Sequence, residues 1–213
     1  AASGLPIAAP SANRSGAPSP TRAAHVLADL DGRIPLILDG GPCQVGLEST
    51  VVDATGAYPV VLRPGGVTVE MLQRVAGRVE LAGSILRPLA EGETASSPGM
   101  MYKHYAPRAH VVIYQGAAQA VRAAMLAGLA ADPAAGALYF DEDAAAFAPY
   151  PGLSLGSRAH VEQMAARLFD ALRRADALGW ARVLAPAVEA DGLGLAVMNR
   201  MGRAAAFDIV AVP

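Results

Sequence analysis

Apolar and polar positions alternate along this chain in two successive patterns, separated by a stretch with neither period. In the first, Leu5 to Ala9 is a short apolar run stopped by Pro10, which predicts a strand entering a loop. Pro10 to Pro20 is irregular, and Thr21 is placed to cap a helix on which Ala23, Val26, Leu27 and Leu30 recur at helical steps before Gly32. Ile34 to Leu38 predicts a compact buried strand, followed by the turn Asp39-Gly40-Gly41-Pro42. Thr50 to Asp53 and Val60 to Arg63 predict two more strands, and Val79 to Leu81 a last one. Between them, Thr68 caps a helix whose inner face is Val69, Leu72 and Val75.

The second pattern begins at Val111. Val111 to Tyr114 reads as strand, Ala117 to Ala131 as helix and Ala137 to Phe140 as strand. Val161, Met164, Ala165, Leu168, Phe169, Leu172 and Leu178 then mark a long amphipathic helix. Val183 to Val188 and Ile209 to Val212 are strand-like, and strands alternating with helices imply a small, mostly parallel α/β sheet. From Gly83 to Arg108 no period survives, and Ser96, Ser97, Pro98, Gly99 and Pro107 read as a linker. The chain therefore divides into residues 1–82, a linker 83–108 and residues 109–213. Because the linker carries Met100, Met101, Tyr102, His104 and Tyr105, it is expected to lie over a surface as a lid hinged at Pro98 and Gly99.

Composition narrows the classes. Of 213 residues, 53% are hydrophobic and 17% charged, enough apolar material for a core and too little charge for a disordered chain. A net charge of −2, with Lys103 the single lysine, argues against a broad nucleic-acid surface. One cysteine, Cys43, excludes an internal disulfide and a multi-cysteine metal site, which fits a reducing cytoplasm, and Cys43 itself reads as a small buried or half-buried side chain. His25, His104, His110 and His160 lack metal-ligand spacing, so no protein metal site is expected. No apolar run is long enough for a membrane span. The first residue is not Met and Ala1 to Ala9 read directly as loop and strand, which suggests a chain that starts inside a fold.

Three stretches could carry chemistry. "PIAAPSANRSGAPSPT", Pro6 to Thr21, is a proline-braced loop rich in hydroxyl and amide groups; it can cradle an anion, or Ser11 and Asn13 can simply bond their own backbone. In "GGPCQVGLESTVVD", Gly40 to Asp53, Glu48 is either a general base or a solvated strand-end carboxylate, and Ser49 and Thr50 point to opposite faces. Arg63, before Pro64 and Gly65, suits a phosphate or carboxylate fork, or else a surface salt bridge. Gly192 and Gly194 hint at a phosphate loop, but no Lys-Ser or Lys-Thr follows them.

Taken with "VVLRPGGVT" and "SPGMMYKHYAP", these stretches resemble the YrdC/Sua-type L-threonylcarbamoyladenylate synthases, in the long form with an extra C-terminal domain. The resemblance runs from Leu5 to about Ala205. It implies the C-terminal part of a YrdC-like twisted open-sheet domain, then a linker and a small Rossmann-like α/β domain. It implies an enzyme, a nucleotidyltransferase that makes threonylcarbamoyl-AMP and pyrophosphate from L-threonine, bicarbonate and ATP for tRNA modification. By resemblance the Ala9 backbone and Ser49 hold threonine, while Ser11, Ser19, Arg63 and Tyr102 hold ATP, with magnesium arriving on the nucleotide; Asn13 supports the loop. The family's Lys-x-Arg element is absent here, so the chain is expected to be incomplete as a catalyst on its own. An RNA-binding or docking module of the tRNA-modification machinery is the alternative. A hydrogenase-maturation carbamoyltransferase, which carries zinc-finger cysteines, is disfavoured by the single Cys43.

Overall fold

A computed structural model describes residues 3–87 and 105–213. Tyr102, Lys103, His104 and the Pro98–Gly99 hinge expected from the sequence lie outside those residues. No helix among the described residues is long and apolar enough to cross a membrane.

The C-terminal region is built on five parallel strands. They are β4 (His110–Gln115), β5 (Ala135–Tyr139), β6 (Gly152–Ser154), β7 (Arg182–Pro186) and β8 (Ile209–Ala211), in the order β6-β5-β7-β4-β8. The central strands are almost continuously apolar because both faces of the sheet are covered. Val112, Ala137 and Leu184 face α3 (Ala118–Ala131), through Val121, Met125 and Leu129. Their neighbours Val111, Ile113, Leu138, Val183 and Ala185 face the other way. There they meet Met164, Leu168, Phe169 and Leu172 of α5 (Val161–Ala177) and Val197 and Met201 of α6 (Gly192–Ala204). This is the period of two that a pleated strand imposes. A 3₁₀ turn at Asp141–Asp143 and the short helix α4 (Ala144–Phe147) link β5 to β6.

Helix α6 was not legible as a helix, since Gly192, Gly194 and Gly202 lower its propensity. It forms because nearly every residue on it is buried. Gly194, Met198 and Gly202 line a cavity of about 820 Å³ at the carboxyl ends of β4, β5 and β7. Asn199, Arg200 and Arg203 engage residues of the first 87.

The N-terminal region is sparser. Helix α1 (Ala23–Leu30) is followed by strands β1 (Val51–Asp53) and β2 (Val60–Arg63), helix α2 (Val69–Ala76) and strand β3 (Glu80–Leu81). β2 pairs antiparallel with β1 and parallel with β3. Val61 and Ile85 form the buried centre, and its third member is Leu195 of α6.

Several expectations are corrected here. Leu5 to Ala9 and Ile34 to Leu38 form no strand; Ile7 is 78% and Leu38 85% exposed. A strand needs a neighbour for its backbone N–H and C=O groups, and among the described residues neither segment has one. Thr21 is not the cap of α1. The capping position is Arg22, and Thr21 is buried with its N–H donating to His25 Nδ1 at 3.1 Å. Thr68 does cap α2, accepting from the Met71 N–H at 3.4 Å, but Val75 faces solvent. Cys43 is exposed, because its turn lies on the surface, held by the Cys43 N–H on the Thr21 carbonyl at 2.9 Å.

Candidate functional site

The loop 11–21 is held from both sides by charged groups. Asn13 Nδ2 donates to the carbonyls of Arg14 at 2.9 Å and Ala17 at 3.2 Å, closing the loop on itself. Arg14 Nε donates to the Asp29 carbonyl of α1 at 3.1 Å. From the C-terminal region, Arg173 of α5 donates twice to the Pro18 carbonyl, at 3.0 and 2.5 Å, and twice to the Asp29 carboxylate, at 3.2 and 2.7 Å. That fork holds the Asp29 carboxyl below its ordinary range. One turn earlier on α5, Asp170 accepts from Arg22 and from His25 Nε2, each at 3.1 Å.

Glycine permits the next approach. A Cβ on Gly65 would lie 2.3 Å from the Glu48 carbonyl oxygen and 2.4 Å from the Thr50 nitrogen. Only a residue without one lets the Pro64–Gly66 turn lie against the chain at 48–50. Gly46, at φ +76°, likewise lets its loop rest on the backbone of Ala165 and Ala166 in α5.

These restraints bring five side chains together. Ser19 donates its hydroxyl proton to Glu48 Oε1. Glu48 Oε2 accepts from Arg200 Nε at 2.7 Å. Arg63 donates through Nε and Nη2 to the Ser49 carbonyl, at 3.2 and 3.0 Å. Tyr105 lies under the Arg200 guanidinium at 5.5 Å from its ring centre and packs on Phe169 with centroids 5.4 Å apart. Burial pushes the Tyr105 hydroxyl above its ordinary pKa, and the Glu48 carboxylate adds to that, while Arg200 and Arg63 oppose it. Glu48 is ion-paired with Arg200, and the cluster gathers the Arg63 guanidinium, the exposed Ser49 hydroxyl and a Ser19 hydroxyl held on Glu48, groups whose chemistry suits an anion once Ser19 turns from Glu48. No group of three or more His, Cys, Asp or Glu that could hold a metal ion exists among the described residues.

Of the residues singled out from the sequence, Ser19, Ser49 and Arg63 thus come together around residues 48–50. Ala9 and Ser11 sit on exposed chain leading into the loop, and Tyr102 lies outside the described residues. Glu48 is neither a free base nor a solvated carboxylate: it is half-buried and ion-paired. Sequence reasoning missed Arg200, Asn199 and the role of Tyr105. Their one signal was two arginines and an asparagine inside the apolar stretch "LAVMNRMGRAA", where a buried cation demands a carboxylate partner.

Known proteins resemble this chain in sequence and fold. Residues 67–206 match the family model for the threonylcarbamoyl-AMP synthase C-terminal domain, and residues 1–65 match the Sua5/YciO/YrdC model, described as telomere recombination. The chain is 43% identical over 203 residues to the threonylcarbamoyl-AMP synthase of Bacillus subtilis, covering 95% of this chain and 58% of that protein. To the synthase of Pyrococcus abyssi it is 42% identical over 207 residues, covering 97% and 60%. The crystal structure of P. abyssi Sua5 complexed with L-threonine superposes with a TM-score of 0.84 at 38% identity, covering 96% of this chain and 59% of that one. The chain therefore spans about three fifths of the length of these relatives.

Proposed function

Because this chain belongs to the threonylcarbamoyl-AMP synthase family, through the domain that residues 67–206 match, we propose that its Ser19–Glu48–Arg63 cluster holds nucleotide and amino acid during formation of threonylcarbamoyl-AMP. The observation that carries this reading is the Arg63 fork laid on the Ser49 carbonyl, with the exposed Ser49 beside it and Ser19 on the neighbouring Glu48. In the reaction, the amine of L-threonine and bicarbonate give a carbamate and water. A carbamate oxygen then attacks the α-phosphorus of ATP, the bond to the β-phosphate bridge breaks, and pyrophosphate leaves. No side-chain nucleophile is needed, so catalysis is positioning and charge stabilisation, as in a nucleotidyltransferase.

In this reading Arg63 neutralises phosphate, and Ser11 and Ser19 add polar contacts to ATP. The Ser49 hydroxyl and the Ala9 backbone take threonine, and Tyr102 reaches the nucleotide from the segment between the two regions. Magnesium arrives on the phosphate oxygens in this reading, since it keeps several waters and binds through substrate phosphates. The product supplies threonylcarbamoyl groups for tRNA, which makes the cytoplasm the working compartment.

The test is pyrophosphate release dependent on threonine and bicarbonate in the full-length protein. Arg63→Ala removes a charge-assisted bond of about 1.5–3 kcal/mol, so kcat/KM for ATP is expected to fall about ten- to hundredfold. Ser49→Ala is expected to raise KM for threonine while leaving Tm unchanged. Wild-type kinetics in both variants removes the cluster from the site.

A further inference from the structure

We infer that Arg200, on the C-terminal helix α6, is a positioning residue for the nucleotide loop, acting through Glu48 on Ser19. The inference deepens, and rests on, the reading proposed above. Arg200 is 0% exposed, and a guanidinium in that position is tolerated only when its donors are taken. Nε donates to Glu48 Oε2 at 2.7 Å and Nη1 to Asn199 Oδ1 at 2.7 Å. The Asn199 amide donates in turn to the Ile85 carbonyl at 2.6 Å. Three residues further along α6, Arg203 Nη2 donates to the Ser84 carbonyl at 2.9 Å. The fork therefore has a fixed aim, set by a helix that is buried along its length.

Glu48 is the lever. One carboxylate oxygen belongs to Arg200 and the other accepts the Ser19 hydroxyl. A hydroxyl has a single proton to donate, so a phosphate oxygen can receive it only if Ser19 turns away from Glu48. Arg200 keeps the Glu48 carboxylate in place and hydrogen-bonded while that happens. Without Arg200 the carboxylate either holds the hydroxyl more tightly, so that Ser19 cannot turn to phosphate, or swings out to water, so that the loop loses its preset geometry. Arg200 Nη2 also approaches the Glu48 carbonyl, one peptide from Ser49, at 3.5 Å, but it bonds neither the Ser49 hydroxyl nor Ala9, which are assigned to threonine, so the effect falls mainly on nucleotide.

Titration of the full-length protein with ATP and magnesium, by calorimetry, reads the effect without relying on turnover. Arg200→Met is expected to weaken ATP about tenfold, with KM for threonine changed less than about twofold. Arg200→Lys, which keeps the charge and loses the fork, is expected to recover part of the loss. Glu48→Gln combined with Arg200→Met should be no worse than Arg200→Met alone, because the two act in series. Unchanged ATP affinity in folded Arg200→Met overturns the inference. So does an equal loss for ATP and threonine together with a lower Tm, or a strictly additive double variant. Should Arg200→Met fail to fold, Glu48→Gln decides alone: an ATP-selective loss supports the inference, and unchanged affinity sinks it. If the unsubstituted protein binds ATP yet releases no threonine-dependent pyrophosphate, the proposed function fails while the titration series still decides the role of Arg200. No ATP binding by the unsubstituted protein sinks both.

Discussion

Residues 105–213 and residues 3–87 solve the same problem, hiding apolar surface, in opposite ways. The C-terminal region covers both faces of its sheet with its own helices, and its strands carry side chains buried on each side. The N-terminal region has three short strands and borrows Leu195 from α6 to finish its small centre, while Leu5, Ile7, Leu36 and Leu38 have no cover among the described residues. The C-terminal region thus behaves as a rigid base, and the loops of the other region take their shape from being fastened to it at Asp170, Arg173 and Arg200. A site on loops is as well ordered as the element that clamps them.

The sharpest way to break this contrast is to cut the same side chain in each region. Leu168→Ala, from a position 0% exposed, is expected to destabilise by about 2–5 kcal/mol. In a protein of these 213 residues, Leu36→Ala, 68% exposed, should stay within about 0.5 kcal/mol. Urea denaturation of the two variants measures both. Equal losses would mean that Leu36 is covered in solution.

Next in size is the fastening itself. Arg173→Ala leaves the Pro18 carbonyl and the Asp29 carboxylate without their shared donor, and an expected loss of about 1.5–3 kcal/mol follows. Hydrogen exchange should rise across residues 13–19 and stay unchanged in β4 and β7. Exchange that rises equally in both places would show that the regions do not differ in independence.

The smallest effect is a dependence on pH. Burial, then the nearby Arg173, holds the His25 pKa below its ordinary 6.5, despite the Asp170 carboxylate that pulls it up. The geometry agrees, since Nδ1 accepts from the Thr21 N–H and so must be unprotonated. A group with a lowered folded pKa binds its proton more readily when unfolded. Stability from His25 is therefore complete above about pH 6.5 and is lost as pH falls from there through the folded value. The difference in Tm between wild type and His25→Gln, followed from about pH 7.5 to 5.5, isolates it from the carboxylates. A pH-independent difference would remove His25 from the account.

How much could be read in advance follows the same divide. Apolar runs at 111–114, 137–140 and 183–188 read as strands because a doubly covered parallel strand writes its burial into consecutive residues. The α5 stripe was legible for the analogous reason. Leu5–Ala9 and Ile34–Leu38 carry an equally strong apolar signal, yet hydrophobicity states that a segment wants cover and not whether a neighbour supplies it. Ser49 and Arg63 stood out as chemistry-bearing residues at glycine-braced turns, and Ser19 came only from the family resemblance. Arg200 did not, and Tyr105 was read only as one of the linker's aromatic residues, because nothing local in "MNRMG" or "KHYAP" names a distant partner.

That distance has a consequence in time. Glu48 and Arg200 are separated by 152 positions, and a ribosome adds about 5–20 residues per second, so Glu48 is exposed for roughly 8–30 s before its guanidinium partner is made. Through that interval the carboxylate can hold the Ser19 hydroxyl but lacks Arg200, and Leu195, which closes the N-terminal centre, is missing as well. The loops that Arg200 and Leu195 hold therefore reach their final geometry as one late event, when α6 emerges and docks.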